Sequence, residues 1–118
     1  MRVSLVVPVY NELATLPEIL RRVVAVDFPK ELLVVDDGST DGSRELLERL
    51  HREGLEAIGA KPVNETTLKV LLQERNLGKG AALRRGFKEA TGEVVIVQDA
   101  DLEYDPRDIP RVVQPIRD

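Results

Sequence analysis

Val94-Val95-Ile96-Val97-Gln98-Asp99-Ala100-Asp101 carries an apolar run straight into two carboxylates one residue apart. The run is short, β-branched and preceded by Thr91-Gly92, so it reads as a buried strand. Side chains alternate along a strand, which puts residues i and i+2 on the same side. Asp99 and Asp101 therefore repel each other unless a cation lies between them. Hard divalent cations take oxygen ligands, and Mg²⁺ commonly rests on one or two carboxylates plus substrate phosphates. An Asp-x-Asp in a solvated loop has the same spacing, so the triplet alone leaves both readings open.

Outward from this stretch, the chain repeats strand, polar turn, helix. Val3–Val9 is a first apolar strand, and Leu32–Val35 a second, ending at Asp36-Asp37-Gly38-Ser39. Leu68–Leu72 is a third and Val94–Val97 the fourth. Between them, Asn11-Glu12 opens a helix with Leu13, Leu16, Leu20, Val23 and Val24 on one face. Ser39, Thr40 or Asp41 caps a second helix with Leu46, Leu47 and Leu50 inward. Gly54 to Glu65 reads as irregular, with a helical turn near Leu55 to Ile58. Gly78-Lys79-Gly80 opens a third helix with Leu83, Phe87 and Ala90 inward. Asp105-Pro106 resembles a cap followed by proline at the first helical position, before Ile109, Val112, Val113 and Ile116. Near-continuous apolar strands separated by helices predict a parallel sheet covered on both faces.

Composition narrows the function classes. The chain of 118 residues suits one domain, and its net charge of −4 argues against broad electrostatic binding to nucleic acid. It has no cysteine, hence no disulfide or thiolate site, which fits a reducing compartment. No run reaches the roughly 18 apolar residues of a membrane-spanning helix, and the N-terminus lacks a signal-peptide layout.

In open parallel sheets, ligands bind beyond the carboxyl ends of the strands. The polar clusters Pro8–Glu12, Asp36–Asp41, Asn76–Gly80 and Asp99–Glu103 follow the four strands in turn, so all four are expected on one rim. Each has two readings. Asp36-Asp37-Gly38-Ser39 is turn and cap chemistry, or supplies a carboxylate for a base N–H. Gly78-Lys79-Gly80 is a loop entering a helix, or a phosphate cradle with Lys79 adding positive charge; the longer Gly-x-x-x-x-Gly-Lys-Ser/Thr pattern is missing. Tyr10 is a packed aromatic or a platform for a base. Arg84, Arg85 and Lys88 read as a solvated face from which an arginine could reach a diphosphate. His51 reads as surface. A phosphoacceptor receiver domain would want its acidic pair after the first strand, whereas here acidic groups follow the second and fourth.

Three ordered stretches, VSLVVPVYNE (3–12), VVDDGSTDGS (34–43) and NLGKGAALRRGFKEATGEVVIVQDADLEYDP (76–106), resemble family 2 glycosyltransferases of the GT-A fold. Within that family they are most similar to dolichol- or polyprenyl-phosphate mannosyl- and glucosyltransferases. The resemblance implies a Rossmann-like parallel α/β sheet of order 3-2-1-4, helices on both faces, the N-terminal half of a GT-A fold. It implies that Pro8, Tyr10 and Glu12 line a nucleotide pocket and that Val35 and Asp37 hold the base and its surroundings. Gly78 and Lys79 would lie near the nucleotide, with Asp99 and Asp101 as the metal-associated pair and the Ala100 backbone at the ribose or diphosphate. Glu103 stands where a related enzyme type has Gln as a further metal ligand, and the implied ion is Mg²⁺ or Mn²⁺. The implied reaction is inverting transfer of a hexose from a GDP- or UDP-sugar to a polyprenyl phosphate, at the cytoplasmic membrane face.

Such enzymes run to about twice this length. The expectation is therefore one nucleotide-sugar-binding domain over 1–118, without an acceptor side or an assignable catalytic base. It would transfer sugar poorly alone, and a homodimer would cover the exposed strand edges. The alternative is a nucleotide-diphosphate-binding domain without transferase activity of its own.

Overall fold

A computed structural model describes residues 2–100. Four strands, β1 (Val3–Val9), β2 (Lys30–Asp36), β3 (Thr66–Leu72) and β4 (Val94–Val97), alternate with three helices, α1 (Leu16–Val24), α2 (Ser43–Glu53) and α3 (Lys79–Glu89). A 3₁₀ turn at Leu55–Ile58 follows α2. All strand pairs are parallel and the order is β3-β2-β1-β4, as the resemblance implies. The chain steps outward from β1 to β3, then crosses back over the sheet to β4, so the order reverses beside β1.

The helices divide between the two faces. Leu5, Val7, Leu32 and Val34 meet Leu16, Ile19, Leu20 and Val23 of α1 and Leu47 and Leu50 of α2. On the opposite face, Val6, Leu33 and Val35 meet Ala82 of α3. A Cβ on Gly86 would run into the Val6 side chain, so α3 approaches the sheet closely because that position is glycine. The small residues Ala82 and Gly86 are what α3 buries fully, and Leu83 and Ala90, predicted to face inward, pack against this core partly buried.

Several expectations need correction. The first helix begins at Leu16, not at Asn11-Glu12. Asn11 lies in the left-handed region at φ 52°, Leu13 is exposed, and Pro17 sits in the first turn, where its missing N–H costs nothing. Ile19 joins the predicted face. Strands two and three start two residues earlier than predicted, at Lys30 and Thr66. Burial on both sheet faces holds for β1 and β2 only, because β3 and β4 are the edges and β4 alternates between half-buried and exposed. Phe87 is half exposed rather than in the core. Arg85 is not part of a solvated face: it donates to Leu72 O at 2.7 Å and Gln73 Oε1 at 3.0 Å. Arg84 and Lys88 are exposed, as is His51. The predicted helix at Asp105-Pro106 lies outside the described residues.

The two charged residues that begin β2, Lys30 and Glu31, are buried with partners for their charged groups. Lys30 Nζ donates to the carbonyls of Val26 (2.8 Å) and Phe28 (3.1 Å) and lies over the Phe28 ring; burial pushes its pKa down. Glu31 Oε1 accepts from Ser4 Oγ at 2.9 Å and Thr91 N at 2.8 Å, and Oε2 accepts from Thr91 Oγ1 at 2.9 Å. Burial opposes the Glu31 charge, but the hydrogen bonds from Thr91 and Ser4 outweigh it and hold the carboxyl below its ordinary value. This clasp ties the α3–β4 turn to the middle of the sheet.

Candidate functional site

The loops at the carboxyl ends of all four strands do converge, on a cleft of about 330 Å³. Pro8, Tyr10 and Glu12 come from the end of β1, Asp37 from β2, Gly78 and Lys79 from the start of α3, and Asp99 and Ala100 from beyond β4. Every described residue implied for the site lines this cleft except Val35. Val35 is fully buried under the α3 face and pairs in register with Pro8, so it supports the cleft floor from behind. Asp101 and Glu103 lie outside the described residues.

Backbone geometry explains how the loops meet. Asn11 turns the chain sharply and is held to the β2–α2 loop: its N–H donates to Ser39 Oγ at 2.9 Å and its Oδ1 accepts from Thr40 N at 2.7 Å. Glu12 N donates to Ser43 Oγ at 3.2 Å and Leu13 N to Asp41 Oδ2 at 3.1 Å. Partial desolvation works against the Asp41 charge, yet the Ser43 hydroxyl and amide and the Leu13 N–H prevail and lower its pKa. Asp41 thus serves the start of α2, although Gly42 is the residue at the cap position. Tyr10 is 45% exposed, which places it as an open wall of the cleft rather than as core.

Asp37 is a clamp. Its Oδ1 accepts from Leu77 N at 2.8 Å and its Oδ2 from Gly78 N at 3.0 Å, which fixes the loop that leads into α3. Gly38 is what lets the two loops touch: at φ +75°, a Cβ there would overlap the backbone of Arg75 and Asn76. Asp36 turns away from the cleft. Its Oδ2 accepts from Gly38 N and Ser39 N, with Arg44 Nη1 at 3.7 Å.

The α3 N-terminus therefore opens into the cleft, with the positive end of its dipole and the Lys79 ammonium together. Lys79 Nζ lies 2.7 Å from Asp99 Oδ1. The Lys79 ammonium thus sits on one oxygen of Asp99, and carboxylate oxygens are the kind of ligand that hard divalent ions take. Among the described residues no group of three His, Cys, Asp or Glu gathers around a common point, Asp99 being the only described member of the implied metal set. Val9, Asn76 and Ala82 also line the cleft and are not among the residues that the resemblance implies for the site. Asn76 opens the polar cluster after β3, which is the signal that could have marked it. Ala82 lies one turn after Lys79, where a small side chain leaves room above the helix end.

Comparison with known proteins agrees with this geometry. The chain is 42% identical over 116 residues to undecaprenyl-phosphate 4-deoxy-4-formamido-L-arabinose transferase of Pseudomonas fluorescens, covering 95% of the chain and 31% of that relative. It thus spans about a third of the length of the curated relatives it matches. Its fold is similar to that of the Pyrobaculum calidifontis mannosyltransferase PcManGT in complex with GDP-Man and Mn²⁺, with a TM-score of 0.79 at 30% identity over 98% of the chain and 32% of that protein. It is similar also to Staphylococcus aureus TarS 1-349 in complex with UDP-GlcNAc, with a TM-score of 0.73 at 31% identity over 98% of the chain and 30% of that TarS 1-349 chain. The sheet order and these neighbours make the architecture that of GT-A glycosyltransferases. Residues 4–118 match the pattern of glycosyl transferase family 2, and the chain belongs to that family.

Proposed function

We propose that this chain forms the nucleotide-sugar site of an inverting glycosyltransferase that passes a sugar from a GDP- or UDP-sugar to a polyprenyl phosphate. One observation carries the reading: the four strand-end loops, the α3 N-terminus, Lys79 and Asp99 meet in a single cleft. Tyr10 and Pro8 offer a wall for the base, and Asp37 fixes the Leu77–Gly78 backbone beside it. The diphosphate lies at the α3 N-terminus, where backbone dipoles and Lys79 favour negative charge. Asp99, Asp101 and Glu103 would hold a Mg²⁺ or Mn²⁺, which neutralises a diphosphate leaving group when bound.

The acceptor phosphate oxygen bonds to the sugar carbon as the bond to the diphosphate breaks. Because that oxygen is already anionic, the reaction does not depend on a strong general base. The names of the curated relatives favour a lipid phosphate as acceptor and add an arabinose derivative to the expected hexose as a candidate for the transferred sugar. No helix among the described residues is long and apolar enough to cross a membrane. We place the chain at the cytoplasmic membrane surface, where a lipid phosphate would be presented.

Fluorescence titration of UDP and GDP with and without Mn²⁺ tests the reading. One of the two nucleotides is expected to bind more tightly with Mn²⁺. Asp99→Asn should weaken that binding about ten-fold, the size of one charge-assisted contact. Lys79→Met should weaken binding in both conditions. Equal affinities for the unmodified chain and Asp99→Asn at every Mn²⁺ concentration would refute the assignment.

A further inference from the structure

Thr15 precedes α1 at the position where a threonine ordinarily caps the helix, yet its side chain caps nothing there. Its Oγ1 lies 2.8 Å from the carbonyl oxygen of Ala100, across 85 positions of sequence. Glu12 O, at 3.4 Å, competes poorly for the hydroxyl proton, because it already accepts from Thr15 N at 3.1 Å and Leu16 N at 2.8 Å. Glu12 Oε2 is farther still, at 3.5 Å. A hydroxyl has one proton, and the short contact with Ala100 receives it. Ala100 is buried and packed against the α1 core, so its peptide is held on two sides.

From this we infer that Thr15 is a positioning residue: its hydroxyl anchors the Ala100 peptide and so sets the reach of the Asp99 carboxylate into the cleft. The inference rests on the nucleotide reading above for its functional consequence, but its structural half stands apart. The anchor has three neighbours in the cleft wall. Among the described residues these are Asp99, one residue before Ala100, Ala100 itself, and Glu12, three residues before Thr15. A single hydroxyl therefore couples the loop after β1 to the loop after β4.

The test uses the 118-residue chain with Thr15→Val, which keeps the branched shape but removes the donor, and Thr15→Ser, which restores it. The first readout is the Ala100 carbonyl carbon resonance without ligand. It should move in Thr15→Val and return in Thr15→Ser. The second is the affinity for UDP and GDP with Mn²⁺ and with chelator. Thr15→Val should weaken binding with Mn²⁺ about five-fold, the yield of one ordinary hydrogen bond, and leave binding with chelator within about two-fold. An Ala100 resonance unchanged in Thr15→Val overturns the anchor. Equal weakening with Mn²⁺ and with chelator, not rescued by serine, also overturns the positioning role and reduces Thr15 to packing. If the resonance responds but the unmodified chain binds neither nucleotide in either condition, the nucleotide reading fails and the anchor survives.

Discussion

The contacts that shape the cleft are single-residue choices with little slack. Gly38 combines a left-handed backbone with an approach to Arg75 and Asn76 that leaves no room for a Cβ. Gly38→Ala should therefore destabilise the chain by roughly 2–4 kcal/mol, from backbone strain plus a forced shift of the 75–76 backbone. Urea unfolding monitored by circular dichroism measures it; a loss below about 0.5 kcal/mol would mean that the two loops separate at no cost. Sequence alone marks Asp36-Asp37-Gly38-Ser39 as turn chemistry or a base contact. The structure assigns turn chemistry to Asp36 and a loop clamp to Asp37, because the N–H groups of Leu77 and Gly78 arrive from 40 residues away. Such partners are invisible to local patterning. The same is true of Thr15, whose partner at Ala100 becomes apparent only after β1 and β4 pair.

At the scale of elements, the strands and the chain of β-α alternation were legible because short β-branched apolar runs are each bounded by turn residues and separated by helix-period segments. Helix boundaries and faces were less so. Phe87 looked like a core residue of α3, but the helix lies too close to Val6 for a large side chain and buries Ala82 and Gly86 instead. The clasp at the α3–β4 turn gives a pH-dependent prediction. The Glu31 carboxyl is held below its ordinary value, so its charged form stabilises the fold above the pKa of an unfolded glutamate. That contribution is lost as pH falls through the lower, folded value. Glu31→Gln should cost about 1–3 kcal/mol at pH 7, and the gap from the unmodified chain should narrow as pH drops below about 4. Unfolding midpoints across pH 3 to 7 decide it. A gap independent of pH would show that the Glu31 charge contributes nothing.

For the molecule as a whole, the strand order matters most. Reversal of direction beside β1 brings the ends of β1 and β4 together, and the loops after β2 and β3 close the cleft from the other side. Four polar clusters spread from Pro8 to Ala100 become one site by this topology, which is why their spacing along the chain was informative while no single cluster was. Membership of glycosyl transferase family 2 and the likeness to PcManGT with GDP-Man and Mn²⁺ support a nucleotide in that place. The most direct test is to map amide resonances of the isotope-labelled chain as UDP or GDP is added with Mg²⁺. The perturbed amides should cluster at Val9–Glu12, Asp37, Asn76–Ala82 and Asp99–Ala100, leaving the N-terminal ends of the strands unmoved. Perturbations centred elsewhere, or none with either nucleotide, would contradict it.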